Sequence, residues 1–89
     1  MKLKKLMHDF LQDYLDENKI EFSEWGVNVN NQEGFGDYSS NIALKLAKIL
    51  KKAPIEIAEN IAIHPNASEN VFTLSASQPG FVNFHISND

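Results

Sequence analysis

Two runs of alternating apolar residues on either side of Pro79-Gly80 constrain this chain more than any other feature. Phe72, Leu74 and Ala76 alternate with Val71, Thr73 and Ser75, and Val82, Phe84 and Ile86 alternate with Phe81, Asn83 and His85. A period of two is that of a half-buried strand, and Pro-Gly between two such runs is turn chemistry, so the segment predicts an antiparallel hairpin. With one apolar set turned inward, Phe81, Asn83 and His85 must point away from the core.

A hairpin needs something to lie on, and the rest of the chain supplies helices. Leu3, Leu6, Met7, Phe10, Leu11 and Tyr14 follow helical spacing, which predicts a first helix from about Lys2 to Asn18. Ile20 and Phe22, then Trp25, Val27 and Val29, alternate with polar neighbours; this reads as an irregular connector and a strand over Trp25 to Asn30. Trp25 itself suits a core or interdomain contact better than a base platform, or a cover over the groove between the first helix and the sheet. Gly34 and Gly36 mark a turn that Asp37 and Tyr38 would fix against the helix ends, with Ser39 or Ser40 as helix cap. A second helix is expected over Ser40 to Lys52, with Ile42, Ala43, Leu46, Ala47, Ile49 and Leu50 on one side and Lys45, Lys48, Lys51 and Lys52 on the other. Pro54 suits the first turn of a third helix carrying Ile55, Ala58, Ile61 and Ala62 and ending before Pro65. The expected architecture is α+β: one domain, residues 1–89, with a small antiparallel sheet of three or four strands and helices packed on one face.

Length and charge narrow the function. At 89 residues, 43% hydrophobic and 22% charged, the chain can bury one modest core but cannot build a two-domain cleft. No cysteine is present, so neither a disulfide framework nor a thiolate metal site is available, and the plain expectation is a cytoplasmic protein with no membrane partner. All eight basic residues are lysines lying between Lys2 and Lys52, where eight acids balance them, and the remainder of the chain carries the whole net charge of −4. That is not the basic footprint of a protein that holds nucleic acid by its phosphates, and without arginine there is no bidentate phosphate or guanine clamp. Any contact with nucleic acid should therefore be weak and made through shape and bases.

The outward residues of the hairpin supply that chemistry. An aromatic ring stacks on an unpaired base at about 1–3 kcal/mol, and an amide pairs with a base edge, a combination suited to a flipped-out loop nucleotide in RNA. The plainer reading has Phe81 starting its strand, packing on the loop from Glu33 to Tyr38 and touching nothing external. Elsewhere the sequence offers less. Gly34-Phe35-Gly36 lacks the further glycines and the lysine of a phosphate loop. His8, His64 and His85 are scattered over a helix, a loop and a strand, which argues against a metal site. Ser39 and Ser40 have no histidine near in sequence, and Asn66-Ala67-Ser68, although a glycosylation acceptor pattern, follows no secretory signal.

Taken together, Phe35-Gly36-Asp37-Tyr38, Asn41-Ile42-Ala43-Leu44 with Leu46-Ala47-Lys48, Pro54-Ile55-Glu56-Ile57-Ala58 and Pro79-Gly80-Phe81-Val82-Asn83-Phe84 resemble, in order and spacing, the N-terminal additional domain of arginyl-tRNA synthetases. The resemblance covers almost the whole chain. It implies a non-catalytic domain that leans on the outer corner of the tRNA and contacts a D-loop nucleotide, with Phe81 as stacking surface, Asn83 as base-edge reader and Gln78 as a lesser third contact. Lys45, Lys48 and Lys52 would then lie either along the tRNA backbone or on a solvated face.

The implied partners are arginine tRNA and the catalytic domain of a parent enzyme that uses ATP and Mg; no cofactor is implied for this chain itself. Family members often carry glycine or a second proline where Ser77-Gln78 stands, and often a basic or large residue in place of His85. The signatures of arginine activation are missing from the 89 residues, so the chain is expected to be a domain excised from the start of such a synthetase. The alternative is a free-standing protein interaction module of the same fold, using the face that bears Phe81.

Overall fold

In the computed structural model, which describes residues 3–29, 37–65 and 71–86, three helices cover one face of a four-stranded antiparallel sheet. The elements run α1 (Leu3–Glu17), β1 (Val27–Val29), β2 (Tyr38–Ser40), α2 (Ile42–Leu50), α3 (Pro54–Ala62), β3 (Phe72–Ser77) and β4 (Phe81–Ile86). Strand order is β1-β2-β4-β3, so the last strand of the chain sits inside the sheet.

The hairpin register is the one the alternation demands. Phe72 faces Ile86, Leu74 faces Phe84 and Ala76 faces Val82, while Thr73, Ser75 and Ser77 face His85, Asn83 and Phe81. Phe72, Val82 and Phe84 are fully buried, and Leu74, Ala76 and Ile86 pack at the margin of the core. Phe10 of α1 meets Phe72 edge-on at 6.2 Å between centroids, and Phe72 meets Phe84 the same way at 5.3 Å. Such T-shaped pairs add about 0.5–1.5 kcal/mol to the burial of the rings.

Each helix is held by the face its spacing selects. On α1, Met7, Phe10, Leu11, Tyr14 and Leu15 are buried, and the helix ends in a Schellman motif in which Ile20 N donates to Leu15 O and Lys19 N to Asp16 O. Lys19 takes the left-handed conformation that this cap requires (φ 56°). On α2 the inward set is Ile42, Ala43 and Leu46; Ile49, expected inside, is half-exposed because it lies at the edge of the stripe toward the lysines. On α3 the buried residues are Ile57, Ala58 and Ile61, and Pro54 occupies the first helical position.

Three expectations are corrected. Ser39 and Ser40 belong to β2 and the N-cap position of α2 is Asn41, which makes no side-chain cap bond, although Ser40 Oγ does accept from the first helical amide, Ile42 N, at 3.2 Å from inside the strand. Asp37 and Tyr38 bind the sheet and not the helix ends. Asp37 N donates to Phe84 O at 2.8 Å and its carboxylate accepts from Ile86 N at 2.9 Å, so a side chain finishes the β2–β4 ladder where the strand runs out. Trp25 lies outside β1, stacked on His8 of α1 at 4.6 Å and donating from Nε1 to Phe22 O, so it covers α1. The expected turn at Gly34 and Gly36, the strand end at Asn30 and the acceptor pattern at Asn66 fall outside the described residues.

The hairpin turn is locked onto α3. Gly80 is buried, and a Cβ there would overlap Pro54 Cβ and come within 3.1 Å of Pro54 C, so only glycine allows this approach. At the other end of the helical layer, burial raises the Tyr14 phenol above its ordinary value of 10.0.

Three outcomes test this account. Gly80→Ala should lower stability to urea by about 1–3 kcal/mol through overpacking on Pro54. Asp37→Ala should cost about 1–3 kcal/mol and release the Ile86 amide to hydrogen exchange, whereas Asp37→Asn, which keeps an acceptor, should retain most of both. Because the unfolded Tyr14 phenol ionises before the folded one, stability should fall as pH rises past 10.0, and Tyr14→Phe should flatten that fall in urea melts at pH 9 to 11.

Candidate nucleic-acid interface

The side of the sheet away from the helices is a small polar face. Asn28, Ser39, Thr73, Ser75, Ser77, Asn83 and His85 alternate onto it from four strands, with Phe81 as its one aromatic among the described residues. None of these is an acid or a lysine, so the face has neither a field that repels phosphates nor one that gathers them.

β4 lies between β2 and β3, and this decides how its outward residues are presented. Asn83 stands opposite Ser39 on one side and Ser75 on the other, and is buried at 3% relative exposure. The outward direction read from the alternation is right, but exposure does not follow from it: alternation fixes the face a residue occupies and not its depth. Its Nδ2 donates to Ser77 Oγ at 3.0 Å, diagonally across the strand pair. His85 makes the equivalent diagonal contact, Nε2 to Ser75 Oγ at 2.8 Å. Two successive β4 side chains are thus each tied to a serine on β3, and the middle of the face is already ordered.

Phe81 begins β4 opposite Ser77 and is half-buried, so its ring is partly held and partly free. Gln78 is exposed in the turn. The serines were not singled out by sequence reasoning; the signal that could have found them is the run of hydroxyls at every second position of β3, at 73, 75 and 77.

The lysines are placed elsewhere. Lys45, Lys48, Lys51 and Lys52 are exposed, and Lys45 and Lys48 lie on the face of α2 opposite Ile42, Ala43 and Leu46, with the core and the sheet between them and Phe81. Lys52 instead rims a concavity of about 500 Å³ at the C-terminal ends of the helices, with Tyr14, Asn60, Ile63 and His64 among its walls. His64 there contacts Glu17 through Nε2 at 3.0 Å and packs edge-on to Phe10 and Tyr14, an arrangement that ties the end of α3 to α1. Among the described residues, no three histidine, aspartate or glutamate side chains gather as a metal site would need.

Comparison with known proteins bears on the family and the fold. The family described as arginyl tRNA synthetase N terminal domain matches residues 1–86. The arginine–tRNA ligase of Thermotoga maritima is 41% identical over 72 residues, which is 81% of this chain and 13% of that protein. That of Bacillus licheniformis is 34% identical over a 97-residue alignment, covering 99% of this chain and 17% of the relative. The solved arginyl-tRNA synthetase of Thermus thermophilus shares the fold, with a TM-score of 0.80 at 24% identity over 94% of this chain and 14% of its own. This chain therefore spans only 13–17% of the length of these relatives. With four-fifths or more of its length aligned in each case, it belongs to the family of arginyl-tRNA synthetase N-terminal domains.

Proposed function

We propose that this chain is the tRNA-recognition domain of an arginine–tRNA ligase and that its outer sheet face contacts a D-loop nucleotide at the outer corner of arginine tRNA. The observation that carries the reading is the grouping of a half-buried ring, Phe81, with an ordered amide, Asn83, on one uncharged face. A base stacked on Phe81 has its edge directed along β4 toward position 83, and Gln78 stands at the open side of the turn. Stacking tolerates any base, while the amide supplies the discrimination.

In this reading the domain positions tRNA and takes no part in the chemistry. ATP-dependent activation of arginine, with its Mg, belongs to the parts of the synthetase beyond these residues, which form the domain's other partner. The compartment is the cytoplasm. Affinity of the domain by itself is low, since one ring and one amide must offset the association entropy without help from a basic patch.

The test is a backbone amide titration of the 15N-labelled chain with an arginine tRNA transcript, and with the same transcript carrying altered D-loop bases. Shifts should centre on Phe81, Asn83 and Gln78 and vanish with the altered loop. Phe81→Ala should weaken binding by about 1–3 kcal/mol, or roughly 5- to 150-fold. Shifts centred on Lys45, Lys48 and Lys52 that ignore the D-loop would replace base reading by backbone contact. Absence of shifts at millimolar tRNA and low salt would mean either that the domain needs the rest of its enzyme to present the tRNA or that the outer face serves a protein partner.

A further inference from the structure

Resting on that reading, we propose that Ser77 is the positioning residue of the outer face: it holds the Asn83 amide by one Nδ2 proton and leaves the carbonyl Oδ1 as the atom offered to a base. Ser77 touches no base in this scheme; it acts through Asn83.

Three observations meet at this serine. Its hydroxyl lies 3.0 Å from Asn83 Nδ2. It stands directly opposite Phe81 in the ladder, so the residue that fixes the amide also borders the stacking ring. Asn83 is 3% exposed, yet no side-chain nitrogen or oxygen that is fully buried lacks a partner among the described residues. The amide is planar, so with Nδ2 turned to Ser77 its Oδ1 points the other way.

A free asparagine can present either end of its amide to a base and so reads donors and acceptors alike. With one Nδ2 proton committed to Ser77 and the rotamer fixed, Oδ1 is the acceptor the amide presents, and the ligand that suits it is a base edge with an N–H, either an exocyclic amino group or a ring imino group, with the second Nδ2 proton left as a donor beside it. The rotamer is also fixed before binding, which removes the ordering cost that an amide on an open surface would carry. Ser75 does the same for His85 one pair further along, so positions 83 and 85 are both preset by β3.

The test is a double-mutant cycle on the 89-residue chain with the arginine tRNA transcript, read by titration and accompanied by urea melts. Ser77→Ala should weaken binding about 3- to 10-fold, in line with one hydrogen bond of about 0.5–1.5 kcal/mol. Ser77→Thr, which keeps the hydroxyl in a residue suited to a strand, should restore binding to within about 2-fold. In the Asn83→Ala background, Ser77→Ala should have no further effect, and the Asn83 side-chain amide protons should keep their Ser77-bonded shifts when tRNA is added to the unaltered chain.

Equal losses from Ser77→Ala with and without Asn83 would overturn the positioning role, as would a loss that Ser77→Thr fails to rescue in a chain of unchanged stability. Movement of the Nδ2 protons from Ser77 to the RNA would overturn the acceptor assignment. An Asn83→Ala variant that binds as well as the unaltered chain would remove base reading at Asn83 altogether, a result separable from the failure of Ser77 alone.

Discussion

Everything in this domain is registered on β4. It is hydrogen-bonded on both edges, to β2 and to β3, and its alternation sends Val82 and Phe84 into the core and Asn83 onto the opposite face. Because the side-chain period is two, the two faces cannot slip independently: a one-residue shift that exposed Asn83 to the helices would also drive Phe84 into water. The hydrophobic burial that folds the protein therefore sets the geometry of the polar face as well. Pro54 against Gly80 extends this control to the turn, since the start of α3 rests on the residue next to Phe81.

Much of the fold was legible because its signals are local. The hairpin register followed from period two on both sides of Pro79-Gly80, and three helices from period 3.6 with Pro54 as a boundary. β2 was not legible. Tyr38-Ser39-Ser40 before an apolar helix reads as capping chemistry, and it becomes a strand only because Phe84, Asn83 and Val82, more than forty residues later, supply the pairing. Asp37 was missed for the same reason: its partner, the Ile86 amide, is distant in sequence. Ile49, expected inside on α2, is half-exposed, and Ile57, not counted in the α3 stripe, is buried, because a helical stripe fixes a direction to within a residue, whereas burial depends on what lies opposite.

At the candidate site, alternation showed which face Phe81 and Asn83 occupy but not how deeply they sit. Depth is a property of strand order. Asn83 is 3% exposed and stands between β2 and β3, an arrangement for which a two-stranded reading of the hairpin has no counterpart. The serines of β3 passed as ordinary polar alternation, and their role depends on a diagonal contact that only the register reveals.

The separation of charge from the polar face bears on what kind of recognition such a domain can perform. Lys45 and Lys48 lie on the far side of the helical layer, so their field reaches the outer face only through the core and the sheet. A surface that bound RNA by releasing counterions would need those charges beside the contact, and its affinity would be largely indifferent to sequence. On the proposed reading, a neutral face with one ring and a fixed amide would have the opposite character: little affinity, shallow salt dependence and a strong requirement for the right base edge. Such a contact is of use to a larger enzyme that already holds the tRNA elsewhere, because a second, weak site on the same ligand then acts at high effective concentration. On that reading low affinity would do no harm, and selectivity would add to that of the whole.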